Sequence, residues 1–206
     1  MTISFEELNH LQLDVLKEIG NIGAGNAVTS LAKMLDKRVD MAVPKANILG
    51  FDKVTQILGG EEMLVVGILL NVAGDITGSM MFTMDIHAAR QLVNILFGNK
   101  VSSSLEFDEL ELSALKEIGN ILTASYLSAL AGLTNLKILP SVPELAIDMA
   151  GAILSVPAIE FGKVGDSVLY IETEFSEGIT KVFGDFLLIP DVDSYEVLLK
   201  ALGVIE

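Results

Sequence analysis

The seven residues LKEIGNI occur at residues 16–22 and return, letter for letter, at residues 115–121, an offset of 99. Weaker matches continue beyond them, because Ser-Leu-Ala at residues 30–32 lies opposite Ala-Leu-Ala at residues 129–131. Self-similarity of this kind indicates that one structural unit has been duplicated within the chain. We therefore predict two copies of one unit.

A second pair of matching segments lies further along the chain. GSMMFTMD at residues 78–85 corresponds to GDFLLIPD at residues 184–191, where the offset has grown to 106. About seven additional residues must therefore lie between Pro143 and Gly184, and Gly162 and Gly165 favour a surface loop around residues 161–166. We predict one domain of two repeats, about residues 1–104 and 105–206.

The hydrophobic pattern predicts similar elements in both halves. Apolar residues at helical spacing predict long helices over residues 5–35 and 107–132, and Asp108 with Glu111 fits a capping box. Residues 63–70, 78–84, 168–174 and 180–189 read as strands, with hairpin turns at 73–78 and 176–179. Residues 85–98 and 191–203 begin with Asp and end with Gly, as helices do. The predicted fold class is α/β with pseudo-twofold symmetry, in which long helices pack on a largely antiparallel sheet, joined by an apolar crossover region in each half.

Composition narrows the possible partners and compartment. Thirteen basic and 28 acidic side chains give a net charge of −15, so a nucleic-acid backbone would be repelled and a protein partner is favoured, although solubility alone would also explain the acidity. The chain has no cysteine, which fits the cytoplasm. Its apolar runs are far shorter than the ~20 residues that span a bilayer, and its first ten residues do not resemble a signal peptide. We predict a cytoplasmic protein without membrane insertion.

The duplicated helices carry an acid and an amide on one face. Residues three and four apart share a helix face, which gives two equivalent polar stripes: Asp14, Glu18 and Asn21 in the first copy, and Ser113, Glu117 and Asn120 in the second. A Glu and an Asn three residues apart are separated by about 4.5 Å along the helix axis, so both can contact a single phosphoryl group. The sequence therefore predicts two copies of one phosphoryl-directed site.

Plain solvation is the alternative explanation for a Glu and an Asn on a helix face. Duplication would also preserve core residues, but packing gives no reason to keep Asn, a poor helix former, together with Gly20, which costs up to about 1 kcal/mol relative to Ala. We therefore expect something to approach the helix backbone closely at this point.

Two other motifs are weaker. GNIGAGNA at residues 20–27 could be a phosphate-binding loop, but such loops follow a strand and a P-loop ends in Lys-Ser/Thr, so Gly23 and Gly25 are better explained by close helix packing. The two histidines, His10 and His87, are far apart and have no partners at ligand spacing, so we predict no metal site.

Each copy contains the same four motif positions, three polar residues followed by a proline, and their spacing is the same in both copies. It resembles the signature of the CheC, CheX and FliY family of chemotaxis phosphatases, and two intact motifs in about 200 residues resemble the CheC type. The matching positions are Asp14, Glu18, Asn21 and Pro44 in the first copy, and Ser113, Glu117, Asn120 and Pro143 in the second.

This resemblance implies a phosphatase that hydrolyses the aspartyl phosphate of the response regulator CheY. Glu18 or Glu117 would engage the regulator's active-site lysine, Asn21 or Asn120 would position the attacking water, and Mg²⁺ would belong to the regulator. The chemistry agrees, because an acyl phosphate is already reactive and needs an oriented water more than a strong base. An amide can orient water and does not titrate.

The resemblance also implies a second partner, the receptor deamidase CheD, which would contact residues 144–154 around Asp148. The sequence itself shows an apolar segment with one aspartate that looks buried, and this aspartate could equally cap a helix. A non-catalytic adaptor that binds CheY and CheD is therefore the alternative to the phosphatase, and the intact Glu and Asn favour the phosphatase.

Overall fold

The computed structural model describes residues 10–35, 40–97, 104–161, 167–177 and 180–203. Within these ranges the helices and strands form two similar series. In chain order they are α1 (His10–Leu35), β1 (Asp40–Gly50), α2 (Phe51–Ile57), β2 (Leu64–Gly74), β3 (Gly78–Asp85), α3 (Ile86–Leu96), α4 (Glu109–Thr134), β4 (Ile138–Pro140), β5 (Glu144–Met149), α5 (Ala150–Phe161), β6 (Ser167–Glu177), β7 (Thr180–Pro190) and α6 (Val192–Ala201).

One antiparallel sheet unites the two halves, in the order β1-β6-β7-β3-β2-β4, and β5 also pairs with β2. At its centre Met81 of β3 pairs with Leu187 of β7, and these two residues are equivalents at the offset of 106. Phe82 pairs with Phe186. This register is the one expected if a twofold axis through the Met81–Leu187 pair relates β3 to β7. The predicted pseudo-twofold α/β fold is confirmed.

Helices cover both faces of the sheet. α1, α3, α4 and α6 pack on one face, where Val66, Ile68 and Leu70 of β2 belong to the larger core. α2 and α5 cover the opposite face, where Val65 belongs to a second core. Because β2 is buried on both faces, its sequence is a continuous apolar run rather than an alternating one. No helix in the described ranges combines the length and the apolar character needed to cross a membrane.

The predicted starts of α3, α4 and α6 are confirmed by their capping contacts, whereas the predicted start of the first helix at residue 5 lies outside the described ranges. The Asp85 carboxylate accepts from the backbone N–H groups of His87 and Ala88 at 2.8 and 2.9 Å. At α4, Asp108 accepts from the Glu111 N–H at 2.8 Å while the Glu111 carboxylate accepts from the Asp108 N–H at 3.0 Å, which completes the capping box. Each cap satisfies backbone donors that the first helical turn leaves unpaired.

The crossover regions contain more structure than the sequence indicated. Each holds an edge strand and a helix, β1 with α2 in the first half and β4, β5 and α5 in the second. α5 has 12 residues and α2 has 7, so much of the extra length in the second half lies in this helix. The predicted surface loop around residues 161–166 falls almost entirely outside the described ranges and stays a prediction. Residues 162–166 and the turn residues 178–179 lie outside the described ranges.

Candidate functional site

The duplicated glycines are explained by the packing of α1 and α4 on the sheet. A Cβ added to Gly119 would lie 2.5 Å from the Ile68 Cδ1 atom, and one added to Gly20 would lie 3.2 Å from the Val43 Cγ1 atom. The expected close approach to the backbone therefore comes from sheet side chains beneath the helix. It leaves the opposite helix face, with Glu and Asn, directed outward.

The two long helices also pack against each other. A Cβ added to Gly23 of α1 would lie 2.8 Å from the Tyr126 Cα atom of α4, so only glycine allows this distance. Gly25, in contrast, is exposed and faces open space. The packing interpretation is therefore correct for Gly23 and wrong for Gly25. Close contact between α1 and α4 places both motifs in the same layer of the molecule.

In the first copy, Asp14, Glu18 and Asn21 are all exposed on α1. The Asn21 Oδ1 atom accepts a hydrogen bond from the backbone N–H of Val43 at 3.3 Å. A backbone donor can only meet the carbonyl side of the amide, so this bond fixes which way the Asn21 side chain points. It also gives a physical reason for an Asn in the middle of a helix.

The signature prolines mark the same irregularity in both halves. Between Ala42 and Lys45 of β1 the chain advances three residues while its partner β6 advances two, from Glu174 to Glu172. Pro44 therefore lies in a bulge of an edge strand, a position that tolerates the missing N–H.

In the second half, the chain advances four residues from Pro140 to Glu144 while β2 moves three, from Val72 to Leu69. Pro143 lies in this break and is buried. Both edge strands are thus bent next to the acid-and-amide face of the neighbouring helix, which explains why a proline 23 residues after the Asn belongs to each motif.

The second copy forms an open groove of about 460 Å³ between α4 and the bend that joins β4 to β5. Glu117 is exposed and Asn120 is half-buried. The groove is lined by Ser113, Lys116, Glu117, Asn120, Pro140, Ser141, Val142 and Pro143.

The bend that borders this groove is anchored to β2. The Ser141 N–H donates to the Asn71 carbonyl at 2.8 Å, and the Ser141 hydroxyl accepts from the Asn71 N–H at 3.0 Å. Sequence reasoning missed Ser141 and Asn71, since neither belongs to the repeated motif. The groove wall is therefore held by a contact that no sequence pattern indicated.

The two copies differ in how the amide is held. Val43 is buried, at 4% exposure, whereas Val142 at the equivalent position is 78% exposed. Within the described part of the chain the Asn120 side chain forms no hydrogen bond like that of Asn21 to Val43. Ser113 donates its hydroxyl hydrogen to the Glu109 carbonyl at 2.8 Å, a bond within its own helix. The two copies thus differ in their surroundings: Asn21 is exposed and held by a backbone N–H, whereas Asn120 is half-buried in the groove.

Asp148 lies in β5, where it pairs with Val65 of β2. The expectation that it is buried was wrong, since Asp148 is exposed. Its Oδ1 atom accepts from the N–H of the next residue, Met149, at 2.7 Å, which is a local contact rather than a cap at the second or third residue of α5. The residue is available to a partner.

No group of three or more His, Asp or Glu side chains within the described ranges is arranged to hold a metal ion. His87 is exposed, and the side chain of His10 lies outside the described part of the structure.

Comparison with known proteins agrees with this geometry. A model of the CheC-like family matches residues 11–48 and 110–147, the two segments that carry the motifs. CheY-P phosphatase CheC of Bacillus subtilis (strain 168) is 40% identical over 203 residues, which cover 97% of each chain. Putative CheY-P phosphatase CheC1 of Halobacterium salinarum is 20% identical over 93% of this chain and 96% of its own.

Solved structures share the fold at lower identity. The crystal structure of Thermotoga maritima FliY superimposes with a TM-score of 0.76 at 22% identity, covering 96% of this chain and 98% of that one. The FliM middle domain from H. pylori gives a TM-score of 0.69 at 13% identity, covering 94% and 99%. The chain belongs to the CheC-like family.

Proposed function

We propose that this chain is a phosphatase that hydrolyses the aspartyl phosphate of the chemotaxis response regulator CheY. The observation that carries the proposal is the pairing of an accessible Glu with an accessible Asn on each duplicated helix, in a chain 40% identical over nearly its full length to a CheY-P phosphatase.

Each helix would present its Glu and Asn to the regulator together. Glu18 or Glu117 would bind the active-site lysine of the regulator, because an ammonium and a carboxylate form a charge-assisted hydrogen bond. Asn21 or Asn120 would hold the attacking water. The Asn21 Oδ1 atom accepts one bond from Val43 and keeps its second lone pair for that water.

The reaction itself needs little covalent chemistry from this chain. The water oxygen bonds to phosphorus as the bond between phosphorus and the aspartyl oxygen breaks. The aspartate leaves as a carboxylate and the water proton ends on the released phosphate. Because the transition state is loose, orientation of the water supplies most of the acceleration. The Mg²⁺ ion that neutralises the phosphoryl group would be held by the acidic pocket of the regulator.

The receptor deamidase CheD is the second partner in this proposal. Asp148 is exposed at the end of β5, and the neighbouring surface of β5 and α5 exposes Met149 at 46%, Val156 at 50% and Ile159 at 77%. An apolar patch with one charged residue at its edge is typical of a protein interface. Replacing Asp148 with Arg should weaken binding of purified CheD without changing the phosphatase rate.

A cytoplasmic location within two-component signalling belongs to the same proposal, because the proposed substrate is a phosphorylated response regulator and a chain without cysteine suits a reducing compartment.

The direct test is an assay on CheY charged with a small phosphodonor. Adding the purified protein should speed the loss of phosphate from CheY several-fold over its spontaneous rate. If phosphate is lost at the spontaneous rate while the two proteins still bind each other, the chain acts as an adaptor instead.

A further inference from the structure

Most positions of the duplicated heptapeptide are explained by packing or by the acid-and-amide pair. Its last isoleucine is 38% exposed as Ile22 and packs against the core as Ile121. The isoleucines Ile19 and Ile118 and the leucine Leu115 are buried in the core, the glycines pack on the sheet, and the Glu and Asn face outward. The remaining charged residue is the lysine, Lys17 in the first copy and Lys116 in the second. Packing gives no reason to keep a half-exposed cation in both copies.

The position of this lysine on the helix is the first argument for a role. Residues 113, 116, 117 and 120 share one helix face, because they are spaced three and four apart. Lys116 accordingly lines the same groove as Glu117 and Asn120. An ammonium on its four-carbon stem can therefore reach whatever occupies that groove.

Charge is the second argument. Several exposed lysines of this acidic chain are paired with carboxylates, Lys45 with Glu172 and Lys181 with Glu174 among them. Within the described residues Lys17 and Lys116 form no such ion pair, although acidic residues outnumber basic ones 28 to 13. Among the residues that the structure describes, each motif therefore keeps one cation without an ion-pair partner beside its Glu and Asn.

We propose that Lys17 and Lys116 bind an oxygen of the regulator's phosphoryl group and so make docking selective for the phosphorylated regulator. The inference rests on the proposed phosphatase function. A phosphoryl dianion would be repelled by the Glu carboxylate of the motif, and a neighbouring ammonium offsets that repulsion. Glu would then bind the regulator's lysine and Lys the phosphoryl group, two charge pairs of opposite sense that also fix the orientation of docking.

The effect should fall on binding rather than on the chemical step. In a loose transition state the phosphoryl oxygens gain little charge, so the ammonium binds ground state and transition state about equally. Removing uniform binding of this kind raises KM and leaves kcat nearly unchanged.

The kinetic test isolates one site at a time. Lys116→Met is made in an Asn21→Ala background, where the second site alone works, and Lys17→Met in an Asn120→Ala background. Each should raise KM for phosphorylated CheY about fivefold, as expected for one exposed charged hydrogen bond, with kcat within about twofold. Arg at the same position should restore KM. Lys53→Met, on α2 at the opposite face of the sheet, changes net charge equally and should leave KM unaltered.

A binding measurement checks selectivity without catalysis. CheY carrying beryllofluoride, a stand-in for the phosphoryl group, should bind the parent proteins more tightly than free CheY, and the Lys→Met variants should lose most of that preference. The preference should also shrink with salt above about 0.15 M, because screening acts on exposed charges. An unchanged KM together with an unchanged preference would overturn the lysine proposal while leaving the phosphatase assay intact. A parent without activity would instead remove the proposed function.

Discussion

At the scale of single residues, Asn21 and Asn120 hold the same place in the repeat but differ in their surroundings. The Val43 N–H fixes the Asn21 amide at 3.3 Å, whereas Asn120 lines an open groove. The sequence predicted both residues, since an Asn kept twice in mid-helix needs an explanation. The sequence could not predict this difference in surroundings, because it depends on how deeply Val43 and Val142 are buried in the folded protein.

The duplicated glycines should respond differently to the same substitution. Gly119→Ala would bring a methyl group within 2.8 Å of the Ile68 Cγ2 atom, whereas at Gly20 the nearest atom is 3.2 Å away. Gly119→Ala should therefore destabilise the protein by about 1–3 kcal/mol through overpacking. Gly20→Ala should be nearly neutral, because the gain in helix propensity of up to about 1 kcal/mol offsets mild crowding. Urea unfolding measures both, and equal stability of the two variants would show that this view of the packing is wrong.

Asp185 should make stability depend on pH near neutrality. Its pKa is raised to about 6, chiefly by burial. A hydrogen bond from the Tyr170 hydroxyl at 2.6 Å lowers the pKa, and the charges of Glu172 and Asp85 raise it further. Because the pKa of Asp185 is raised in the folded state, its contribution to the free energy of unfolding is largest below the unfolded pKa of 3.8. This contribution is lost as the pH rises through about 6.

Asp185→Asn should accordingly stabilise the protein at pH 7.5 by about 2–3 kcal/mol, since each pKa unit corresponds to about 1.4 kcal/mol. The gain should disappear at pH 4. Thermal unfolding over this pH range measures it, with Glu62→Gln in an exposed turn as the control. A gain that persists at pH 4 would rule out titration of Asp185 as the cause.

At the scale of elements, the sequence predicted what has a local cause and missed what depends on distant pairing. Three helix starts could be predicted from their N-cap residues, Asp85, Asp108 and Asp191. The structure shows each of these caps. The edge strands β1, β4 and β5 were missed because they are bent at Pro44 and Pro143, and proline argues against a strand unless a bulge is known. α5 was missed because Pro157 lies inside it, a residue that usually ends a helix.

The start of α4 depends on one buried cation. Arg90 of α3, 5% exposed, donates to both Glu111 carboxylate oxygens at 2.6 and 3.2 Å and to the Glu106 carbonyl at 2.7 Å, and its guanidinium lies 4.1 Å from the centre of the Phe107 ring. The hydrogen bond from Arg90 lowers the pKa of Glu111. These contacts tie the second motif helix to the first half of the chain.

Arg90→Met should destabilise the protein by about 2–3 kcal/mol, because it leaves a partly buried carboxylate and a carbonyl without their donor. Arg90→Lys should recover only part of this loss, since an ammonium cannot form the two-pronged contact. Urea unfolding at pH 7 gives the three values. The Arg90 contacts would be dispensable if the Met variant unfolded at the same urea concentration as the wild type.

At the scale of the whole molecule, the duplication places two copies of the acid-and-amide motif on one layer of a shared fold. The offset of 106 predicted from sequence is reproduced by the Met81–Leu187 pair at the centre of the sheet. The division into repeats at about residues 104 and 105 stays a prediction. The fold alone does not set the function, because FliM middle domains share it at 13% identity. The proposed activity depends on the Glu and Asn that each repeat retains.

The proposed role of the two amides predicts a large loss in the rate of CheY-P dephosphorylation for the Asn21→Ala/Asn120→Ala double variant. Each single variant should keep part of the activity, because the other helix still carries its own site and distant sites act independently. The double variant should fall to the spontaneous rate while keeping its thermal stability and its binding to CheY, since the Glu carboxylates remain. A double variant that dephosphorylates CheY-P at the wild-type rate would show that the two amides do not position the attacking water.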